Sequence, residues 1–367
     1  MPVSIRSRFV FLLLALLLTA CGTPATETAQ APEAPAEVAA ADAADLQAIK
    51  DYSTDLAADM QTATGELLST AEDYYAIIEA ASFDYSAAWE ANAAELATLI
   101  TDARAQWLDA SLYYEMNEGI VAGVPSLAYY DTWIDAGPSG EEDPEEAIDW
   151  QLELPDGTLL DKPGNFFHHL TEPTIWATNP EFTALDVDLN GDGKIEFTEG
   201  LPDANVFLGA AQGFDAATAE MAAAIQSWDP TLSDAFTALV VMIPTMNEYF
   251  EQWKLSAYVA GNATEEASFV AVSRLFDING ILNGLDVTYA NVGVVVAEDD
   301  ADLHAQIDTG LDDLVAYVGD LYEQEQSGKL FSAEEADLFG TEAQDKATAV
   351  SGQVAQAAAL LDIEIQE

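Results

Sequence analysis

The spacing of apolar side chains constrains the fold of this chain more than any other feature of its sequence. Over residues 45–81 they recur on one face of an α-helix, at Leu46, Ile49, Leu56, Met60, Leu67, Leu68, Tyr75 and Ile78. Similar patterns predict helices over about 86–121, 202–228, 232–259, 265–296, 301–326 and 334–363, with a kink at Pro244. We therefore expect an all-α protein with two antiparallel helical bundles, over residues 45–229 and 230–367.

An irregular segment interrupts the first predicted bundle. It is marked by Gly-Pro-Ser-Gly at residues 137–140 and by the acidic run at 141–143. Further on, the sequence Leu-Glu-Leu-Pro-Asp-Gly at residues 152–157 predicts a small β-hairpin, because alternating side chains lead into a turn sequence.

Residues 188–199 match the spacing of a twelve-residue EF-hand-type calcium loop. The predicted ligands are Asp188, Asn190, Asp192, Lys194 (through its carbonyl), Glu196 and the bidentate Glu199. The alternative is an acidic turn in a chain crowded with carboxylates. Because Gly200 and Pro202 follow at once, we expect no regular exiting helix, and hence a structural clamp rather than a sensor. The expected dissociation constant is about 10⁻⁴ to 10⁻³ M, as in extracellular modules.

The N-terminus predicts export. Arg6 and Arg8 precede an apolar run at residues 9–18 that is too short to span a membrane, which is typical of a signal peptide over residues 1–20. The run ends Leu-Thr-Ala-Cys, which resembles the lipobox of bacterial lipoproteins and marks Cys21, the only cysteine, for lipidation. An ordinary signal with an incidental cysteine is the alternative. Residues 21–44 are expected to form a disordered tether, so the protein would be lipid-anchored at the periplasmic face or the cell surface.

The charge of the chain limits its partners. Ten lysines and arginines stand against 66 aspartates and glutamates, for a formal net charge of −56. Nucleic acid is excluded as a partner because the chain offers no basic surface to phosphate. An acidic surface attracts metal cations and keeps a protein soluble, at the cost of self-repulsion. This composition is expected either in a saline habitat or in a cation-collecting role.

Four segments resemble the imelysin-like family, which includes the EfeO-type periplasmic iron-uptake proteins. They are residues 103–110 with 114–118, residues 167–172 with Trp176, residues 274–314, and residues 327–332. The second of these is similar to the family's Gly-x-His-x-x-Glu motif with its trailing Trp. The resemblance implies two four-helix-bundle halves, a metal-related site near their junction, and a role in iron uptake with a membrane iron permease as partner.

Two pairs of residues are candidate ligands of a transition metal. His169 and Glu172 are three residues apart, as are Glu115 and Glu118, so each pair would share one face of a helix. One imidazole with three carboxylates suits iron, and also zinc or manganese. The alternative is that His169 packs at a helix end and the glutamates are solvated. The chain departs from the family motif at Phe167, where glycine is usual, and Pro173 directly follows Glu172.

These features predict an exported lipoprotein that binds calcium and a transition metal, with iron uptake as its function. One alternative is a calcium-stabilised surface interaction module with a vestigial metal site. A metallopeptidase is the other, but the sequence His-Glu-x-x-His of common zinc peptidases occurs nowhere in the chain. We therefore do not expect an enzyme.

Overall fold

Helices make up most of the computed structural model, which describes residues 43–261 and 269–366. In chain order the helices are α1 (Leu46–Ala80), α2 (Tyr85–Val121), α3 (Ala128–Asp131), α4 (Glu172–Ile175), α5 (Ala204–Ser227), α6 (Leu232–Met242), α7 (Met246–Leu255), α8 (Ala257–Ala260), α9 (Arg274–Asp299), α10 (Ala301–Gln326) and α11 (Ala333–Leu360). Two π-helices, π1 (Thr132–Ala136) and π2 (Phe166–Thr171), lie between α3 and α4. The prediction of an all-α helical bundle is confirmed.

Side-chain oxygens cap the N-termini of the long helices. Asp45 and Asp84 accept hydrogen bonds from the first-turn amides of α1 and α2, and Ser332 forms a capping box with Glu335 at α11. At Pro244 a single 3₁₀ turn (Ile243–Thr245) separates α6 from α7, which confirms the predicted interruption.

The expected helix over 265–296 begins later than predicted. Helix α9 starts at Arg274, with the Ser273 side chain as its cap, and residues 269–273 are not helical. The physical reason is that the amides of residues 269–271 donate to the carboxylate of Glu172 instead of entering a helix. Residues 262–268 lie outside the described part of the chain, as do the signal peptide, Cys21 and nearly all of the predicted tether.

Helix α9 connects the two groups of helices. Helix α1 packs against α2 and α5, α11 packs against α6, α7 and α10, and α9 packs against both α2 and α10. Of the described helices, α9 alone is long and apolar enough to cross a membrane. However, 61% of its most apolar stretch of 18 residues is buried inside the fold. It is therefore placed as a core helix of the bundle.

Two small antiparallel sheets complete the fold. Strands β1 (Gln151–Glu153) and β2 (Leu159–Asp161) form the hairpin expected in the irregular segment, which confirms that prediction. Strands β3 (Thr183–Asp186) and β4 (Gly200–Pro202) pair with each other and close the base of the predicted calcium loop.

Candidate metal centre

Three buried carboxylates meet where α2 faces π1. Glu115 and Glu118 of α2 and Asp135 of π1 each place an oxygen within 4.8 Å of the others, and we call this group the acidic triad. Their side chains are at most 4% exposed. In the described part of the chain, Glu115 Oε2, Glu118 Oε2 and Asp135 Oδ1 have no hydrogen-bond partner. Unpaired buried oxygens are costly, and a cation is one means of satisfying them.

The helical spacing on α2, the π-helical turn π1 and the close packing of α9 against α2 position the triad. Glu115 and Glu118 share a face of α2 because they are three residues apart. Asp135 lies in a single turn of π-helix, a form that occurs often at functional sites. Helix α9 approaches α2 closely at Gly280, where an added Cβ would lie 2.7 Å from the Cβ of Glu115. Glycine at this position therefore allows the core helix to lie directly against a triad residue.

Hydrogen bonds from tyrosines hold the surrounding carboxylates. The Tyr249 hydroxyl donates to Glu118 Oε1 at 2.7 Å, which leaves Oε2 free. The Tyr114 hydroxyl donates to Asp131 Oδ1, also at 2.7 Å. Since Tyr249 lies on α7, the second group of helices contributes directly to the site.

His168 lies between two acids. Its Nδ1 is 2.9 Å from Glu172 Oε2, and its Nε2 is 3.1 Å from Asp135 Oδ1, the latter as an ion pair rather than an aligned hydrogen bond. Burial alone would lower the pKa of His168, but the contacts with Asp135 and Glu172 raise it to about 10. The imidazole is therefore protonated at neutral pH and acts as a buried cation, with no lone pair for a metal.

Glu172 has no free oxygen. Its Oε1 accepts hydrogen bonds from the amides of Val270 (2.6 Å) and Ala271 (2.8 Å). Its Oε2 accepts from the amide of Phe269 (3.2 Å) and contacts His168. The structure thus places this predicted ligand beside the triad with both oxygens bonded to protein groups, where it fastens the segment before α9 onto the start of α4.

The structure does not bring His169 to Glu172. The Nε2 of His169 lies 2.6 Å from Glu142 Oε2 at the surface, and its Nδ1 accepts from the amide of Asn165. The expected pairing at a spacing of three residues was wrong because π2 has wider turns than an α-helix. Its hydrogen bonds span five residues, so His168, four residues before Glu172, faces that carboxylate instead.

A buried arginine closes one wall of the site. The guanidinium of Arg274 lies 4.1 Å from the ring centre of Phe269 and 4.4 Å from that of Tyr249. It pairs with Asp277 at 2.6 Å and donates to Gln252 Oε1 at 2.8 Å. Arg274 is therefore paired with a buried carboxylate, and its charge also acts on Asp135 and Glu115 of the triad.

The electrostatics of the site show an excess of carboxylates. Burial, and then the charge of neighbouring acids, raises the pKa values of Glu115, Glu118 and Asp131 well above their usual range. Burial also acts to raise the pKa of Asp135, but His168 outweighs it, so this pKa is lowered. In the absence of a cation, the surroundings therefore favour the charged form of Asp135 and the protonated forms of Glu115 and Glu118.

A pocket of about 430 Å³ gives access to the triad. Glu118, Asp135 and His168 line it, together with Phe269 and Arg274 from the segment that begins α9. A metal ion entering this pocket would meet oxygen donors, which suit hard cations.

Carboxylates of the predicted calcium loop, unlike those of the triad, accept hydrogen bonds from backbone amides of the same loop. Asp188 accepts hydrogen bonds from the amides of residues 191, 192 and 193, and Glu199 accepts from those of residues 190 and 196. Gly191 and Gly193 adopt positive φ angles, which glycine favours. The carboxylates of this loop do not gather into a cluster like the triad, which is the one group of three found in the described chain. The loop is flanked by β3 and β4 rather than by helices, and Ile195 and Phe197 on it are exposed.

Sequence reasoning identified Glu115 and Glu118 but missed their partners. Asp135 was missed because it lies in the irregular segment, where no helical face could be assigned. A usable signal was present, since Asp131 and Asp135 are four residues apart among aromatic and apolar neighbours. The contribution of Arg274 from the second half could not be read from spacing alone, because it depends on tertiary contacts.

Fold and site together define a class: an all-α bundle protein with a buried, carboxylate-rich, metal-compatible centre. The family model described as Imelysin (Peptidase_M75) matches residues 46–361, which is most of the chain. The chain therefore belongs to the imelysin family. No curated protein matches it.

Proposed function

We propose that this protein is an exported, lipid-anchored metal-binding protein that takes up iron at the acidic triad. The observation that carries the proposal is the set of three buried carboxylate oxygens, of which those of Glu115 and Glu118 have no hydrogen-bond partner and that of Asp135 has an ion-pair contact with His168. A cation would satisfy all three oxygens and offset the repulsion that raises the pKa values of Glu115 and Glu118.

The donor chemistry favours a hard cation. The triad offers oxygen only, because both ring nitrogens of His168 face carboxylates. Carboxylates prefer hard ions, whereas imidazole and thiolate favour zinc and softer metals. Iron in its ferric form, or manganese, therefore fits this centre better than zinc. Delivery to a membrane permease is the step we propose for the bound metal.

Elemental analysis after equilibrium dialysis against iron, manganese or zinc tests the site. The Glu115→Gln/Glu118→Gln double variant should lose at least about tenfold in iron affinity, since replacing ligands costs no less than altering their supporting groups. Glu90→Gln/Glu95→Gln, which changes two exposed glutamates of the same helix, is the matched control and should bind like the wild type. Equal iron binding by both double variants would refute the triad as the site.

We propose that the loop at residues 188–199 binds calcium as a structural clamp. Its support is the ligand spacing and the positive φ angles at Gly191 and Gly193. Calorimetry should give a dissociation constant of about 10⁻⁴ to 10⁻³ M, lost in Asp188→Ala. A melting temperature that is the same with calcium and with chelator would rule out the structural role. Calcium binding without iron binding would instead indicate a calcium-stabilised interaction module.

We propose binding rather than hydrolysis, although the family description carries a peptidase label. A common zinc peptidase holds its metal with two neutral histidines, whereas His168 is protonated between two acids. Chelator-sensitive cleavage of peptides by the wild type, abolished in Glu118→Gln, would establish the enzymatic alternative.

Lipid attachment is tested separately by acyl labelling of the wild type and of the Cys21→Ala variant. The variant should not be labelled.

A further inference from the structure

A second pocket, of about 360 Å³, lies beside the segment that begins α9. Its walls include Tyr258 of α8, Phe276 of α9 and Tyr322 of α10, and we call it the aromatic pocket. Phe269 and Arg274 of the same segment line the metal pocket, whereas residues 271–273 line the aromatic pocket. None of the triad residues lines it, so it is separate from the metal centre.

The walls combine aromatic rings with apolar side chains. Phe276 and Tyr322 meet edge to face, with ring centres 6.0 Å apart. The Tyr258 hydroxyl donates to the carbonyl of Ala271 at 3.3 Å, and this bond holds the Tyr258 ring against the segment that precedes α9. Leu108 and Leu112 of α2 complete an apolar side. A pocket of this volume with these walls suits a small organic molecule.

The charge around the aromatic pocket is negative. Asp109 lines it, and no lysine or arginine does. Glu325 lies three residues after Tyr322 on α10, and its Oε2 accepts from the Trp253 indole at 2.7 Å. Burial raises the pKa of Glu325, whereas hydrogen bonds with Ser273 and Trp253 act in the opposite direction and favour its charged form. After burial, the charge of Glu325 is the next cause that raises the pKa values of both Tyr258 and Tyr322. The field of this carboxylate therefore reaches two of the three rings.

We propose that the aromatic pocket binds a small organic cation with a methylated ammonium head. Aromatic faces attract such a head by cation–π interaction, and its methyl groups need no hydrogen-bond acceptor from the apolar wall. Glu325 and Asp109 supply the compensating negative charge. A bare metal ion fits poorly, since the pocket has no cluster of ligand atoms within the described chain. An anion would meet only negative charge.

Calorimetric titration of the full chain with choline tests the proposal. The control ligand is 3,3-dimethyl-1-butanol, in which carbon replaces the charged nitrogen of choline at the same shape. We expect choline to bind, and the neutral analogue to bind at least about fivefold more weakly, because a partly desolvated cation–π contact contributes about 1 kcal/mol or more. Absence of choline binding, or equal affinity for both ligands, would overturn the proposal.

Variants locate the site. Glu325→Gln should weaken choline at least about fivefold, and Tyr322→Leu should do likewise. Glu323→Gln, an exposed glutamate on the same helix, should leave the affinity unchanged. If either pocket variant fails to fold, nuclear Overhauser contacts between choline methyl protons and aromatic ring protons of the wild type decide the matter. Choline contacts that are all to tyrosines outside the pocket would overturn the assignment. Iron binding is measured independently, so failure of either proposal leaves the other intact.

Discussion

At the scale of single residues, Glu172 and the triad glutamates have opposite environments. Glu172 receives three backbone amides and the imidazole of His168, whereas Glu115 and Glu118 each keep one oxygen without a partner. The same side-chain chemistry therefore serves two roles. A saturated carboxylate fastens chain segments together, and an unsaturated one remains available to a cation.

Replacing Glu172 with alanine should destabilise the protein strongly. Three amides and the protonated His168 would lose their acceptor inside the fold, and removing one member of a buried charged network costs about 3–5 kcal/mol. Urea denaturation measures the free energy of unfolding. His169→Ala, which breaks a contact at the surface with Glu142, is the control and should cost less than about 1 kcal/mol. Equal losses in the two variants would contradict the role assigned to Glu172.

The two adjacent histidines show where sequence reasoning stopped at this scale. The motif drew attention to Glu172, which lies beside the triad, and the α2 pair Glu115 and Glu118 follows from ordinary helical spacing. The register of the histidines did not follow, because nothing in the sequence indicates that residues 166–171 wind as a π-helix. A difference of one residue exchanges the buried imidazole of His168 for the partly buried imidazole of His169.

At the scale of elements, the crossing of α2 and α9 determines the position of the triad. At Gly284 an added Cβ would lie 2.3 Å from the carbonyl oxygen of Met116, and at Gly280 it would meet the Cβ of Glu115. Neither backbone can yield without moving its helix. The long helices were predictable from their apolar periodicity, but this contact was not, because it joins helices distant in sequence.

Gly280→Ala should separate the two helices and disturb the triad. Overpacking of a tight core contact costs about 1–3 kcal/mol, and we expect weaker iron binding as Glu115 is displaced. The control is Gly352→Ala in α11, where an added Cβ meets nothing within 4 Å. That variant should be neutral or more stable by up to about 1 kcal/mol, since alanine favours helix. Thermal melts and dialysis measure both effects, and a neutral Gly280→Ala would contradict the tight crossing.

At the scale of the whole molecule, the charge of the acidic centre couples stability to pH. Glu118 has a raised pKa when folded, so above the ordinary glutamate pKa of about 4.3 the folded state binds more protons than the unfolded state. Stability contributed by this group is therefore present at acidic pH and falls as pH rises. A bound cation should offset the loss.

Denaturation in chelator across about pH 5 to 8 tests this coupling. Glu118→Gln should lose stability less steeply with rising pH than the wild type, because the titrating group is gone. Glu95→Gln, an exposed change on the same helix, should keep the wild-type slope. Parallel curves for the wild type and Glu118→Gln would show that this carboxyl does not titrate as assigned.

The net charge of −56 also predicts a salt effect on the entire fold. Raising salt from about 0.1 to 1 M shortens the screening length from about 10 to 3 Å and weakens repulsion among surface carboxylates. The melting temperature should rise similarly with sodium or potassium chloride, because screening does not depend on which cation is present. An unchanged melting temperature would contradict self-repulsion as a determinant of stability.

The contacts of Glu172 also bear on the order in which the protein folds. The carboxylate joins amides that lie 97, 98 and 99 residues further along the chain. Contacts over such separations form after local ones, because closing a long loop costs chain entropy before any interaction repays it. The helices can therefore form while the wall built from Phe269 and Arg274 is still missing. The metal pocket acquires its final shape only once the chain leading into α9 has docked.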